Sequence, residues 1–301
     1  MLKSIASLPS APGIGRLFVF AFAFLSSVVF VLVVGTALIM AAFGATLLAV
    51  IGPLVVIPIG AGVVTALEHV AALCGQHVRD LRAGALKDRL MENVDAGERF
   101  AVYLRPFVST DQMRETRIDM SAMPMTGAAA FGAMGAAVEF ELEAQIESAA
   151  RGIGPLVALG EPLEHIGAGR IKVTDADWQA VAARLMDEAE LIILLPSSRA
   201  GTLWEVDRIL SSDLIERTVI VDPPNATIRG IDYDQAGEWA AVQAAFAEKD
   251  YALPDDDRAG RLVFFGHSKT PELSRPFSVA GASEVEGFFR DVVKRLERAA
   301  A

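Results

Sequence analysis

The sequence predicts an α/β protein in two parts: an N-terminal transmembrane helical hairpin, then a five-stranded, mostly parallel sheet with helices on both faces. Three observations carry this reading. No charged residue stands between Arg16 and Glu68. The 301 residues have a net charge of −11 yet a mean hydropathy of +0.39, so the apolar excess is concentrated in one place rather than spread over one globule. From Phe100 onward, short apolar runs alternate with amphipathic stretches, the pattern of parallel strands joined by crossover helices. The expected division is an anchor at 1–73, a juxtamembrane helix or linker at 74–96, and a cytosolic domain at 97–301.

The uncharged run from Leu17 to Leu67 is too long for one crossing of about 20 helical residues and suits two, with a turn near Ala41 to Ala45. The first span, Leu17 to Met40, is rich in Phe, Val and Leu. The second carries Gly52, Pro53, Pro58, Gly60 and Gly62, which predict a kink. Lys3 and Arg16 precede the spans, and Arg79, Arg82, Lys87 and Arg89 follow them, so both termini are expected in the cytoplasm. No ionisable residue lies within the spans, which favours an anchor and ranks a small transporter or channel last. Cys74 is either a small buried hydrophobe or a juxtamembrane thiol open to acylation. Gln76 to Asn93 reads as a charged helix with Val78, Leu81, Leu86 and Leu90. It either continues the second span, makes a coiled contact between protomers, or is a solvated connector.

Residues 1–96 are net +1, so the remaining chain is more acidic than the whole, at −12. Such a domain is a poor nucleic-acid binder, and any anionic ligand must be held by local groups. Buried strands are expected at Phe100 to Leu104, Leu156 to Leu159, Leu191 to Leu195, Thr218 to Val221 and Leu262 to Phe265. Helices fill the intervals at Val138 to Gly152, Asp175 to Ala189, Thr202 to Leu214, Asp234 to Lys249 and Ser283 to Ala299. Thr174 or Asp175 marks one start, and Ser283 with Glu286 reads as a capping box. The Ala/Gly/Met stretch of the loop 121–137 is a lid, a partner-binding loop or a loosely structured insertion. One cysteine rules out a disulfide framework, and His69, His77, His165 and His267 have no metal-ligand spacing.

Ligands of such sheets sit beyond the carboxyl ends of the strands. Arg105 follows the first strand, with Asp111 beyond it; the guanidinium suits either a phosphate or carboxylate ligand or an internal acid. After the second strand, Gly160 to Arg170 forms no dinucleotide fingerprint and reads as a flexible loop bringing Arg170 to the face of Arg105. His165 has no Ser or Cys partner for a triad. After the third strand, Ser197, Ser198, Gly201, Thr202, Trp204 and Glu205 lead into a helix whose first amides suit a phosphate or ribose. Glu205 either complements the helix dipole or serves as the carboxylate of glycosidic cleavage.

Tyr103 to Phe107, Gly154-Pro155, Gly160 to Pro162, Gly167 to Arg170, Trp178 and Trp204-Glu205 together resemble bacterial membrane proteins that join two spans to a Toll/interleukin-1 receptor (TIR)-like domain. The resemblance covers about residues 97–225. It implies a flavodoxin-like sheet, self-association into a homo-oligomer, residence in a bacterial inner membrane, and in some members cleavage of NAD by a glutamate on the helix after the third strand. In those enzymes the glutamate stands a helical turn beyond the tryptophan; here Arg208 holds that position and Glu205 adjoins Trp204. Two expectations follow. One is a membrane-anchored signalling or sensing protein that binds a nucleotide-type ligand with no cofactor required. The other is an NAD-cleaving enzyme with Glu205 at the ribosyl centre and Arg105 and Arg170 on phosphates.

Overall fold

The computed structural model describes residues 24–37, 45–105, 114–118, 137–163, 167–224, 234–256, 260–278 and 282–300. Asp111, His165 and most of the 121–137 stretch lie outside them, as does the expected turn at 41–44. The chain divides into two compact units, Met1–Ala71 and Ala72–Ala301.

The first unit holds helix α1 (Phe24–Ala37) and the start of α2 (Ala45–Met91). Among the described residues one helical stretch, Ile59–Met91, is long and apolar enough to cross a membrane, while α1 is a shorter apolar helix. Large apolar side chains such as Phe24, Phe30 and Val31 are about two-thirds exposed (70%, 68% and 67%). Pro53 and Pro58 lie within α2, which is helical throughout its 47 residues and continues the second expected span past Gln76 to Met91.

The second unit is built on a seven-stranded sheet. Its strands are β1 (Ala101–Leu104), β4 (Leu156–Leu159), β5 (Gly169–Ile171), β6 (Leu191–Leu194), β7 (Thr218–Asp222), β8 (Arg261–Phe264) and β9 (Leu273–Pro276). The spatial order is β5-β4-β1-β6-β7-β8-β9, with parallel pairing from β5 to β7 and antiparallel pairing at β7–β8 and β8–β9. A separate antiparallel pair joins β2 (Arg114–Ile118) to β3 (Ala137–Glu141). The helices are α3 (Leu142–Ala150), α4 (Trp178–Glu188), α5 (Ala200–Ser211), α6 (Gln235–Ala247) and α7 (Ala282–Ala300).

This corrects the expected five-stranded flavodoxin-like sheet. All five expected strands form, but β5 extends the sheet beyond β4, β8 runs antiparallel, and β9 adds an edge. The first helix is also shorter than expected, because Ala137–Glu141 is strand before α3 begins. At the other end α7 starts at Ala282, so Ser283 is inside the helix, and Glu286 accepts a hydrogen bond from Ser148 Oγ at 3.4 Å instead of closing a capping box.

Strand alternation sends side chains to two cores. Val102, Leu104, Ile192 and Leu194 face α4, α5, α6 and the end of α2, including Ala83, Leu86 and Leu90. Ala101, Tyr103, Leu191 and Ile193 face α3 and α7, against Ile146, Phe288 and Phe289. The α2 backbone approaches β5 closely: a Cβ on Gly169 would stand 2.6 Å from the Arg79 carbonyl oxygen. Gly169→Ala must therefore push helix from sheet, and an overpacking loss of about 1–3 kcal/mol is expected. Thermal unfolding of the detergent-solubilised protein checks it; an unchanged midpoint would show that this contact is loose.

Candidate functional site

Because β4 and β6 flank β1 on opposite sides, the chain reverses its direction of winding at β1, and crevices open at the carboxyl ends of these strands. A cavity of about 600 Å³ lies at that edge, lined by Gly160, Glu161, Val173, Thr174, Asp175, Trp178 and Gly201. Gly160 and Glu161 follow β4, Val173 to Asp175 follow β5, Trp178 opens α4 and Gly201 is in the first turn of α5. Another cavity, of about 400 Å³, carries His267 and Arg295, but these pair with Glu216 at 2.8 Å and Glu272 at 3.2 Å. Glu161 of the cavity at the strand ends is paired as well, with Lys172 at 2.9 Å, so position decides between the two: the strand-end cavity lies beyond the carboxyl ends of parallel strands, where ligands of such sheets sit.

Local chemistry builds its walls. The Thr174 carbonyl accepts the Asp177 and Trp178 N–H groups, both at 3.1 Å, and its hydroxyl donates to Asp177 Oδ2 at 2.6 Å, so the entry to α4 is fixed. Trp178 then stands edge-on to Trp204, with ring centroids 5.1 Å apart and planes at 75°. That contact holds the indole in one orientation at the rim. Helix α5 begins after Arg199 with no side-chain cap and no acid in its first turn. The Glu238 carboxylate of α6 accepts the Ser198 N–H just ahead of this start, so the positive end beside Gly201 is compensated in part.

Glu205 sits one turn beyond Gly201 on the same face of α5. It is buried, its Oε2 has no hydrogen-bond partner, and burial alone pushes its carboxyl from the ordinary 4.5 up to about 8. A carboxyl in this state is a neutral acid at neutral pH rather than a charge serving the helix dipole. The neighbouring residues are arranged differently. Thr202 and Ser197 are buried, with Ser197 Oγ accepting the Arg199 N–H at 3.3 Å, while the Ser198 N–H donates to Glu238 on α6.

The two arginines do not join Glu205. Arg170 is the neighbour of Ile171, which belongs to the α4–α6 core, so its own side chain points to the opposite face. There it pairs with Glu143 of α3 at 2.7 Å, both side chains being almost wholly buried. Tyr103, in the α3–α7 core, feels both Arg105 and Arg170; burial and the Glu143 charge hold its hydroxyl well above the usual range. Arg105 and Arg170 thus share the α3–α7 side, whereas Glu205 shares the α4–α6 side with Val206 and Ile209. Electrostatics agree, since no arginine contributes to the Glu205 shift. The expected convergence of Arg105, Arg170 and Glu205 on one ligand is replaced by two groups on opposite faces of the sheet.

The flexible loop expected over Gly160 to Arg170 is corrected at its end, where Gly169–Ile171 forms β5; residues 164–166 lie outside the described residues. Residues 167–171 are buried throughout, and the polar groups that secure them are Gln76 and Asp80 of α2, which the sequence gives no reason to single out. The chain matches no family model, no curated protein and no solved structure. Among the described residues no cluster of His, Cys, Asp and Glu is arranged to hold a metal ion.

Proposed function

We propose that this is a membrane-anchored sensing protein whose TIR-like cytosolic domain binds a nucleotide-type ligand in the cavity at the ends of β4 and β5. The observation that carries the reading is the cavity's composition: the indole of Trp178, the carboxylate of Asp175, that of Glu161 paired with Lys172 at 2.9 Å, and the first turn of α5, which has no side-chain cap, at Gly201. An aromatic face stacks a base or nicotinamide ring, carboxylates accept ribose hydroxyls, and helix-terminal amides receive a phosphate. In this reading α1 and α2 form the membrane hairpin, both termini are cytoplasmic, and the domain self-associates when ligand binds.

One observation favours a second reading, cleavage of NAD. Glu205 is buried and unpartnered one turn below Gly201, where an ionised carboxylate would stabilise positive charge developing at the ribosyl carbon. Arg105 and Arg170 are not required in either reading, because they lie on the other face.

The test is a titration of the detergent-solubilised full chain with NAD, ADP-ribose and ATP, following tryptophan fluorescence and nicotinamide release. Saturable binding, weakened about 5- to 100-fold in Trp178→Ala as the loss of one stacked ring predicts, supports the sensor. Absence of binding for all three ligands up to about millimolar, the weak limit of useful affinity, overturns it. Nicotinamide release that disappears in Glu205→Gln establishes the enzyme; no release, even in clustered protein, removes it.

A further inference from the structure

Two polar side chains on the α3–α7 face of the sheet keep donors that no group among the described residues accepts. Tyr103 Oη and Arg170 Nε and Nη1 are buried without a hydrogen-bond partner, and each residue is only 1% exposed. The register brings the two together. Ala158 of β4 stands opposite Arg170 of β5, and Val157 stands opposite Val102 of β1, so Tyr103, Ala158 and Arg170 form one row across three strands. The row faces α3 and α7, where Tyr103 and Ala158 are packed. Its outer members are two strand spacings apart, about 10 Å. The methyl group between them is too short to reach either polar group, and the Tyr103 hydroxyl feels the Arg170 charge across it.

The nearby acids are already engaged. Glu143 Oε1 accepts the Ala168 N–H and its Oε2 accepts Arg170 Nη2, both at 2.9 Å. Arg105 and Glu141, whose charges also bear on Tyr103, have partners of their own. Buried donors in native proteins are met by water or by an ion when no protein group serves. Water brings two hydrogens that themselves need acceptors, and a guanidinium offers none. An anion brings no hydrogen and gains a charge-assisted bond from Arg170. Burial of both donors leaves no opening for the body of a carboxylate or phosphate ligand, which selects a monatomic anion.

We infer that Tyr103 and Arg170 form a buried halide site, in which chloride accepts from the Arg170 guanidinium and the Tyr103 hydroxyl above Ala158. The site is on the other face of the sheet from Glu205 and does not depend on the ligand reading above. A halide there ties β5, at the edge of the sheet, to β1 at its centre and stabilises the folded state by mass action.

The experiment is urea unfolding of the full chain in non-ionic detergent, in sodium gluconate, chloride or bromide at equal ionic strength. For a site with a Kd of about 1–10 mM, about 100 mM chloride should raise the wild-type folded-to-unfolded ratio about 10- to 100-fold over gluconate, and the gain should saturate. Tyr103→Phe keeps the ring and removes one donor, so it should fold at least as well as wild type in gluconate yet lose most of the chloride gain. Ala158→Val fills the middle of the row without removing a donor and should lose the gain as well. A wild-type response that is absent, or that climbs without saturating, overturns the site and leaves water on the donors. A saturating gain that is equal in wild type and both variants overturns its assignment to Tyr103 and Arg170.

Discussion

Glu143→Ala is expected to destabilise the protein by about 3–5 kcal/mol, the cost of leaving one member of a buried ion pair uncompensated. Arg170 Nη2 reaches both carboxylate oxygens, at 2.7 and 2.9 Å, and Glu143 Oε1 also accepts the Ala168 N–H at 2.9 Å. The pair has no access to water, with side-chain exposures of 0% for Arg170 and 1% for Glu143. Arg170 Nε and Nη1 are buried without hydrogen-bond partners, so Glu143 is its one charge-assisted contact among the described residues. Removing the carboxylate strands the guanidinium in a low-dielectric site, where an unpaired charge costs far more than the pair contributes. The double change Glu143→Leu with Arg170→Met should recover most of the loss, since apolar replacement of both partners removes the desolvation cost along with the attraction. Urea unfolding of the four members of this cycle, in detergent, measures the coupling. A Glu143→Ala loss below about 1 kcal/mol would place the pair in the range of solvated surface bridges.

The role of Arg170 marks the boundary of what the sequence makes legible. Strands β1, β4, β6, β7 and β8 are legible because each is a short apolar run between turn residues, buried on both faces and therefore uninterrupted by polar side chains. Strand β5 is Gly-Arg-Ile and β9 is Leu-Ser-Arg-Pro, an edge strand; neither has an apolar run to reveal it. The charged Arg114–Ile118 segment hides β2 for the same reason. For the site, the strand-to-helix passage through Ser197, Gly201 and Glu205 is legible, because a strand end followed by a glycine-containing helix start is a local feature. Which face each side chain takes is not local. A shift of one residue in strand phase moves a side chain across the sheet, and without β5 in view Arg170 has no phase at all. Gln76 and Asp80 are invisible for a related reason: their partners lie more than 80 residues away.

Glu205→Gln should raise stability relative to wild type by an amount that grows with pH. Burial without a partner lifts the Glu205 carboxyl from the ordinary 4.5 to about 8. The folded state therefore holds this proton more tightly than the unfolded state does. Its contribution to stability is complete below about 4.5, falls as pH rises toward about 8, and is level beyond that. At about 1.4 kcal/mol per pH unit, the wild type has lost on the order of 3 kcal/mol by pH 7. Glutamine has nearly the same volume and does not titrate, so the two proteins should differ least near pH 5 and most near pH 8. Melting curves across that range provide the comparison; a pH-independent difference would mean that Glu205 is ionised and solvated in the folded protein. The same titration constrains catalysis. A carboxyl that is mostly protonated at pH 7 cannot stabilise a ribosyl cation until it ionises, so NAD cleavage by Glu205 must accelerate as pH approaches about 8. Nicotinamide release that falls over the interval from pH 6 to 8 would assign the chemistry to another group, even if Glu205→Gln were inactive.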